Sequence, residues 1–173
     1  MRYFLPSALA CASLLAACAG APSAPPHDVP SALSAPAGQA LALESLAHGV
    51  QIYECARAAD GKPAWVFKAP EAALASRGGT SIGRHYAGPT WEGNDGSKVV
   101  GEVTARDPGP DAKAIPWLLL RAKQNAGSGV FAGIKSIQRI ATTGGVAPAG
   151  GCDEGSQGQA ARVPYTATYL FYR

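Results

Sequence analysis

The chain has 173 residues, of which 47% are apolar and 16% are charged, so it is long enough for one folded domain and too short for two of ordinary size. Its net charge is only +3 and is spread along the sequence, which argues against a nucleic-acid-binding protein. No apolar run reaches the roughly 20 residues that a membrane-spanning helix requires.

Residues 1–17 have the pattern of a bacterial secretory signal, because Arg2 is followed by an apolar run of signal-peptide length. The run ends in Leu15-Ala16-Ala17-Cys18, which resembles the lipobox of bacterial lipoproteins. The resemblance implies that Cys18 becomes the lipidated first residue of the mature chain. Ala19 after it implies sorting to the outer membrane, facing the periplasm. Cleavage near Ala19 or Ala21 without a lipid is the alternative.

Residues 18–40 are rich in Pro, Ala and Ser and are predicted to form a disordered tether between the lipid and the domain. Such a segment buries too little apolar surface to offset the entropy lost on ordering.

The cysteines predict a disulfide. Cys11 lies in the signal and Cys18 carries the lipid, which leaves Cys55 and Cys152. Export places this pair in an oxidising compartment, where a structural disulfide is the simplest expectation. Neither a C-x-x-C redox spacing nor a cluster of histidines suited to zinc accompanies them, so we expect no metal and no other cofactor.

Residues 41–173 are predicted to form a β-rich domain, because apolar residues mostly alternate with polar ones. The clearest strand is residues 163–172, which are rich in aromatic and β-branched side chains. Residues 115–120 are apolar at both even-numbered and odd-numbered positions, which predicts a strand buried on both faces. Other predicted strands cover residues 50–55, 64–68, 98–105 and 136–142.

Helical signals are weak. Only residues 70–75, in which Pro70 precedes several good helix formers, suggest a short helix. Gly and Pro punctuate the domain at the spacing of a sandwich or small barrel. We therefore predict an all-β, single-domain antiparallel sandwich or partly closed barrel, with long Gly/Pro-rich loops and at most one short helix.

Five blocks of sequence stand out in the domain: HGVQIYEC (48–55), HYAGPTWE with DGS (85–92, 95–97), IPWLLL (115–120), IQRI with TGG (137–140, 143–145) and VPYTA (163–167). Together, in this order, they resemble the domain-of-unknown-function 3455 family, exported proteins of bacteria and fungi. The resemblance covers about residues 41–173 and implies a secreted β-rich domain with no established activity, although some relatives carry a dehydrogenase label.

Two glycine-rich strings match catalytic motifs poorly. Residues 127–133 lack the spacing of a dinucleotide-binding turn, and the β-branched residues that follow favour a strand rather than a helix. Residues 79–83 fit the G-x-S-x-G string around Ser81, but Gly88-Pro89 leaves no room for the helix that a nucleophile elbow requires. We interpret both strings as loops.

The segment 85–97 is the best functional candidate. His85, Tyr86, Trp91 and Asp95 are the candidate ligand-binding residues, because aromatic rings suit a sugar or small aromatic ligand and the polar groups would orient it. The alternative for Asn94-Asp95-Gly96-Ser97 is a hairpin turn, and the alternative for Trp91 is a core position. Arg121, Lys123, Lys135 and Arg139 are expected on one solvated face at a sheet edge.

The sequence therefore predicts a cell-envelope lipoprotein that is a binding or structural module. Its expected partners are a membrane, through the lipid on Cys18, and a small molecule or sugar near residues 85–97. No catalytic residue is assigned. The alternative is an envelope hydrolase that uses His85 with Asp95 or Glu92.

Overall fold

The domain is a single closed sheet of eight antiparallel strands. The computed structural model describes Met1 and residues 28–173. Each strand pairs with its neighbours in sequence, and β8 returns to pair with β1, so the sheet forms a closed barrel. Within residues 28–173 the only helical elements are two 3-10 turns, Ser31–Leu33 and Glu154–Ser156. The strands are β1 (Leu41–Arg57), β2 (Pro63–Ala75), β3 (Ser81–Tyr86), β4 (Thr90–Gly93), β5 (Lys98–Asp107), β6 (Trp117–Ala126), β7 (Ser136–Gly144) and β8 (Ala160–Tyr172).

This architecture confirms the predicted all-β antiparallel fold. It is a barrel rather than a sandwich, and the barrel is fully closed rather than partly closed. The six predicted strands all correspond to observed ones, although β6 begins at Trp117, after Ile115 and Pro116. β3 and β4 are additional strands within a region interpreted as loops. Residues 127–133 form a connection between antiparallel strands, as predicted, rather than a dinucleotide-binding turn.

Because every strand is antiparallel to the next, the connecting loops alternate between the two ends of the barrel. We call one end the mouth; it carries the loops at residues 58–62, 87–89, 108–116 and 145–159. We call the other the closed end; it carries the loops at residues 76–80, 94–97 and 127–135.

The interior at the closed end is filled by apolar side chains. The long loop between β6 and β7 contributes Phe131 and Ile134, which pack against inward side chains of the strands. Burying one such side chain fully contributes about 1.5–3 kcal/mol. The inward strand residues of this cluster include Leu74, Trp91, Val99, Leu120, Ile137 and Phe171.

The outer face of β5–β8 is also apolar, and residues 28–40 cover it. Leu33 is 0% exposed and packs with Trp117, Ile140, Leu170 and Tyr172. The side-chain amide of Gln138 donates to the Leu33 carbonyl oxygen at 2.6 Å. This explains why residues 115–120 are apolar at both parities, as the sequence indicates: one face meets the interior and the other meets this segment.

The predicted disordered tether therefore extends too far toward the domain. Residues 18–40 are predicted to be disordered, but residues 28–40 pack on the barrel, with a 3-10 turn at Ser31–Leu33. Although the segment is rich in Pro and Ser, Leu33 is fully buried and its carbonyl oxygen is hydrogen-bonded by Gln138, and Val29 and Ala35 pack beside it. These contacts order the segment. The predicted signal peptide, Cys18 and the tether as far as residue 27 lie outside the described residues.

The short helix predicted at residues 70–75 is also wrong, because these residues continue β2. Their burial alternates along the strand, with Pro70, Ala72 and Leu74 buried. Gly49 of β1 lies opposite Ala72, and a Cβ at Gly49 would overlap the neighbouring strand. Pairing with β1 thus overrides local helix propensity.

The predicted disulfide is confirmed. Cys55, near the end of β1, is bonded to Cys152 in the loop 145–159, and their Cα atoms are 5.3 Å apart. Trp65 of β2 donates its indole N–H to the Gly150 carbonyl oxygen at 2.8 Å. The loop is thereby held against the β1–β2 side of the mouth. Among residues 28–173 there is no helix long and apolar enough to cross a membrane.

We predict that Leu33→Ala lowers the free energy of unfolding by about 2–5 kcal/mol, because it leaves a cavity between residues 28–40 and the barrel. Leu41→Ala is the matched control, since Leu41 is 41% exposed, and it should cost at most about 0.5 kcal/mol. Urea unfolding of the two variants measures the difference. Equal stabilities would show that residues 28–40 do not belong to the folded unit.

Candidate functional site

A cavity of about 470 Å³ opens at the mouth of the barrel. An eight-stranded barrel is just wide enough to be filled by side chains or to hold one small ligand. Here the closed end is filled and the mouth is not. Inward residues of the strands form the wall, and Phe67, Lys68, Pro89, Arg106 and Pro116 are among the residues that complete it.

His85 and Trp91 lie side by side on this wall. They are opposite each other in the pairing of β3 with β4, and their rings stack with centroids 4.4 Å apart. The Tyr169 ring packs edge-on against both, at 5.1 Å from His85 and 5.3 Å from Trp91. The three rings form a continuous aromatic surface that belongs both to the core and to the cavity lining.

His85 is neutral in the folded protein. It is 2% exposed, and burial lowers its pKa to about 3 against the opposing effect of a hydrogen bond with Thr90. Nδ1 lies 2.8 Å from the Thr90 carbonyl oxygen, and since a carbonyl oxygen only accepts, Nδ1 carries the proton. Nε2 is therefore an acceptor, and the ring supplies polarity without charge.

Polar side chains without protein partners line the same cavity. Within residues 28–173, no hydrogen-bond partner is found for the buried Gln51 Nε2, the Trp91 indole N–H or the Tyr169 hydroxyl. All three residues are buried and all three line the cavity. Buried donors without an acceptor destabilise a protein, and most buried polar groups are hydrogen-bonded. The three groups at this cavity are therefore available to an acceptor inside it.

Arg139 also faces the cavity. It lies opposite Tyr169 in the β7–β8 pairing, and Tyr169 faces inward. Its Nε and Nη2 donate to the Pro116 carbonyl oxygen at 3.1 and 2.8 Å, which fixes the guanidinium at the mouth. The expected solvated edge is therefore wrong for Arg139, because a closed sheet has no edge, whereas Arg121 is exposed and pairs with Glu102.

Tyr86 lies on the outer face of the sheet. Its hydroxyl donates to Glu92 Oε2 at 2.8 Å, and Arg84 pairs with the same oxygen at 3.0 Å. The hydrogen bond from Tyr86, followed by that from Arg84, lowers the pKa of Glu92. Glu92 is thus an ionised member of a surface cluster, on the face of the sheet opposite to His85.

Asp95 lies in the loop at the closed end, away from the mouth. Its carboxylate accepts hydrogen bonds from the Ser97 hydroxyl at 2.6 Å and from the Val130 amide at 2.8 Å. These bonds lower the pKa of Asp95, the one from Ser97 most. Gly129 lies so close that a Cβ there would overlap the carboxylate. Asp95 therefore fastens the loop that closes this end of the barrel.

Of the four candidate ligand-binding residues, the structure places His85 and Trp91 at the cavity and Tyr86 and Asp95 elsewhere. It does not bring His85 together with Asp95 or Glu92, as a hydrolase would need. Ser81 begins β3, and its hydroxyl accepts a hydrogen bond from Asn94 instead of facing a histidine. Residues 28–173 contain no group of three or more His, Cys, Asp or Glu side chains placed to hold a metal ion.

Comparison with models of known protein families shows which family the chain matches. A family model described as a protein of unknown function, DUF3455, matches residues 36–173. The chain belongs to this family. The match begins within the segment that packs on the barrel and runs to the last residue, so the family unit includes the mouth and the closed end alike. Comparisons with curated proteins and with solved structures gave no match.

Three polar residues of the cavity wall were not predicted from the sequence. Gln51, Tyr53 and Arg139 were assigned only to strands or to a solvated edge, yet all three line the cavity. A signal was present in the run Ile137-Gln138-Arg139-Ile140, where two polar residues interrupt a strand of otherwise apolar character. Which of the two faces inward depends on register, and this a single sequence does not provide.

We predict that His85 makes the protein less stable in mild acid. The folded-state pKa of about 3 lies below the ordinary value of 6.5, so below pH 6.5 the unfolded chain binds a proton that the folded protein excludes. This difference in proton binding lowers the free energy of unfolding by about 2 kcal/mol between pH 7 and pH 5. Urea unfolding across this range measures it.

His85→Gln should remove that part of the pH dependence, and His48→Gln should retain it, since His48 is exposed. Parallel pH profiles for the wild type and His85→Gln would contradict a neutral, buried His85.

Proposed function

We propose that this protein is a small-molecule-binding module of the cell envelope, held at the membrane by a lipid on Cys18, which takes its ligand into the mouth of the barrel. The observation that carries the proposal is the cavity of about 470 Å³. Ligand sites in proteins are typically clefts of roughly 300–1,000 Å³ with mostly apolar walls and a few convergent polar groups.

The framework around the cavity supports a pre-formed site. Tyr53 donates its hydroxyl to the Gly145 carbonyl oxygen at 2.7 Å, which ties β1 to the end of β7 at the mouth. The disulfide between Cys55 and Cys152 holds the longest mouth loop on the same side. A site that is rigid before binding loses less conformational entropy when the ligand enters.

Binding is favoured over catalysis by the state of the candidate groups. His85 is neutral and surrounded by aromatic rings, Glu92 is ionised on the outer face, and Asp95 bonds to the loop at the closed end. No acid or base that the sequence suggested meets another inside the cavity. We therefore assign the aromatic surface of His85, Trp91 and Tyr169 to ligand contact rather than to proton transfer.

A thermal-shift screen of the purified chain tests ligand binding. The panel contains neutral, acidic and basic forms of small aromatic and aliphatic compounds. A ligand at 100 times its Kd stabilises the folded state by about 2.7 kcal/mol, which raises the Tm by several degrees.

Val103→Phe should abolish the shift, because Val103 lines the cavity and a larger side chain fills part of it. Val130→Phe is the control, since Val130 is exposed at the closed end, and it should keep the shift. If no compound of the panel raises the Tm, or if the Tm shift persists in Val103→Phe, a ligand site at the mouth is contradicted.

The lipid anchor has its own test. When the chain is expressed with its leader in a Gram-negative bacterium fed an alkyne-bearing fatty acid, we expect labelled protein in the outer-membrane fraction. Cys18→Ala should abolish labelling, while Cys11→Ala should leave it unchanged. Label that persists in Cys18→Ala, or its absence from the wild type, would contradict anchoring through Cys18.

A further inference from the structure

The charges around the cavity are all of one sign. Lys68, Arg106 and Arg139 line it, and none of the lining residues is an Asp or a Glu. Lys68 is partly compensated by Glu54, whose carboxylate lies 3.4 Å from Nζ. Within residues 28–173, neither Arg106 nor Arg139 forms an ion pair with an acidic side chain. The cavity lining therefore carries uncompensated positive charge.

Arg139 distinguishes this arrangement from ordinary surface charge. Its position on β7 turns it into the barrel, between the rings of the wall and the mouth loops, and it is only partly exposed. A cation inside a protein is costly unless it is paired and hydrogen-bonded. The Pro116 carbonyl oxygen accepts from Nε and Nη2, and the remaining guanidinium N–H groups are available to another acceptor.

The positive charge of Arg139 influences the pKa values of the Tyr169 and Tyr53 hydroxyl groups. Burial raises the pKa of Tyr169, and the positive charge of Arg139 opposes this effect without cancelling it. The same two influences, in the same order, act on Tyr53. Both hydroxyls remain protonated at neutral pH, so they are hydrogen-bond donors rather than competing anions.

The rest of the wall offers further donors and apolar surface. Gln51 Nε2 and the Tyr169 hydroxyl have no protein partner, as described above. Phe67, 49% exposed, lies at the rim, where its ring packs edge-on against Tyr53 at 5.7 Å. Pro70, Pro89 and Leu118 add apolar contact area. A complementary ligand thus has an acceptor-rich, negatively charged end and an apolar body.

We propose that the ligand is an apolar organic anion, a carboxylate on an aromatic or aliphatic skeleton, whose charged group binds Arg139 while its body lies against His85, Trp91 and Phe67. This inference rests on the proposed function, because it names the ligand class of the same cavity. Arginine suits a carboxylate, since the planar guanidinium presents several N–H groups in a fixed geometry.

Two matched pairs of probes test the sign of the charge. The pairs are 2-naphthoate with 2-naphthamide and octanoate with octanamide, which differ within each pair mainly in the charge of one end. Isothermal titration of the full chain at neutral pH should show that the acid of at least one pair binds on the order of tenfold or more tightly than its amide.

Arg139→Gln should weaken binding of that acid on the order of tenfold and weaken binding of its amide much less, because the amide carries no charge for the guanidinium to neutralise. Arg139→Lys should restore part of the preference, because it keeps the charge without the planar N–H groups. Arg121→Gln removes the same charge from the outer face and should leave both affinities unchanged. If Arg139→Gln does not fold, Arg106→Gln is the second variant, and it should cause a smaller loss for the acid alone.

The outcomes separate this inference from the proposed function. If the amides bind as tightly as the acids, the ligand class is wrong and the small-molecule site stands. An acid preference that survives in Arg139→Gln overturns the assignment of Arg139. If neither acid binds, the inference fails, and the neutral compounds of the thermal-shift screen then decide whether the cavity binds ligands at all.

Discussion

The pairing of β1 with β8 is the constraint from which the rest of the structure follows. It joins the first strand of the domain to the last, from Leu41 opposite Tyr172 to Glu54 opposite Ala160. This pairing gives the sheet an inside and an outside, since it leaves neither strand with an unpaired edge. It also places the polar Gln51 of β1 and the aromatic Tyr169 of β8 on adjacent strands of the cavity wall. An open sheet of the same strands would have a face in place of a cavity.

Closure creates a second requirement on the outer surface. β8 is apolar at both parities near its end, with Phe171 inside the barrel and Leu170 and Tyr172 outside. Residues 28–40 satisfy this requirement by covering the outer face, with Leu33 at the centre of the contact. The backbone of Ala40 then bonds to Arg173, so the start of the domain is tied to its last residue.

The same geometry explains why a compact stretch of sequence is divided in space. His85 and Tyr86 are adjacent in β3 and therefore face opposite sides of the sheet. His85 joins the aromatic wall of the cavity, whereas Tyr86 joins the surface cluster around Glu92. Asp95 is farther along the chain and lies at the other end of the barrel, where it fastens the loop that carries Phe131. Proximity in sequence suggested one site, and the strand period distributes it over three places.

Much of the fold was predictable because its signals are local. Alternation in residues 163–172 identifies a strand, and the apolar run 115–120 identifies burial on both faces. Two remaining cysteines in a chain with the pattern of a secretory signal predict the disulfide. The prediction of a helix at residues 70–75 was wrong because strand pairing overrides local propensity there. The prediction of disorder at residues 28–40 was wrong because packing on the barrel overrides composition. The place of Arg139 in the cavity wall could not be predicted, since its inward orientation depends on the register between β7 and β8, which involves residues distant in sequence.

The barrel has a packed end and an open mouth, and we propose that the cavity at the mouth binds an anionic ligand through Arg139. A crystal structure of the protein with 4-iodobenzoate tests it most directly, because anomalous scattering from iodine locates the bound molecule without reference to the fold. Our account predicts one well-occupied position in the mouth, with the carboxylate on Arg139 and the ring against His85 and Trp91. Iodine found only on the outer face or at the closed end, with the mouth filled by protein side chains, would contradict it.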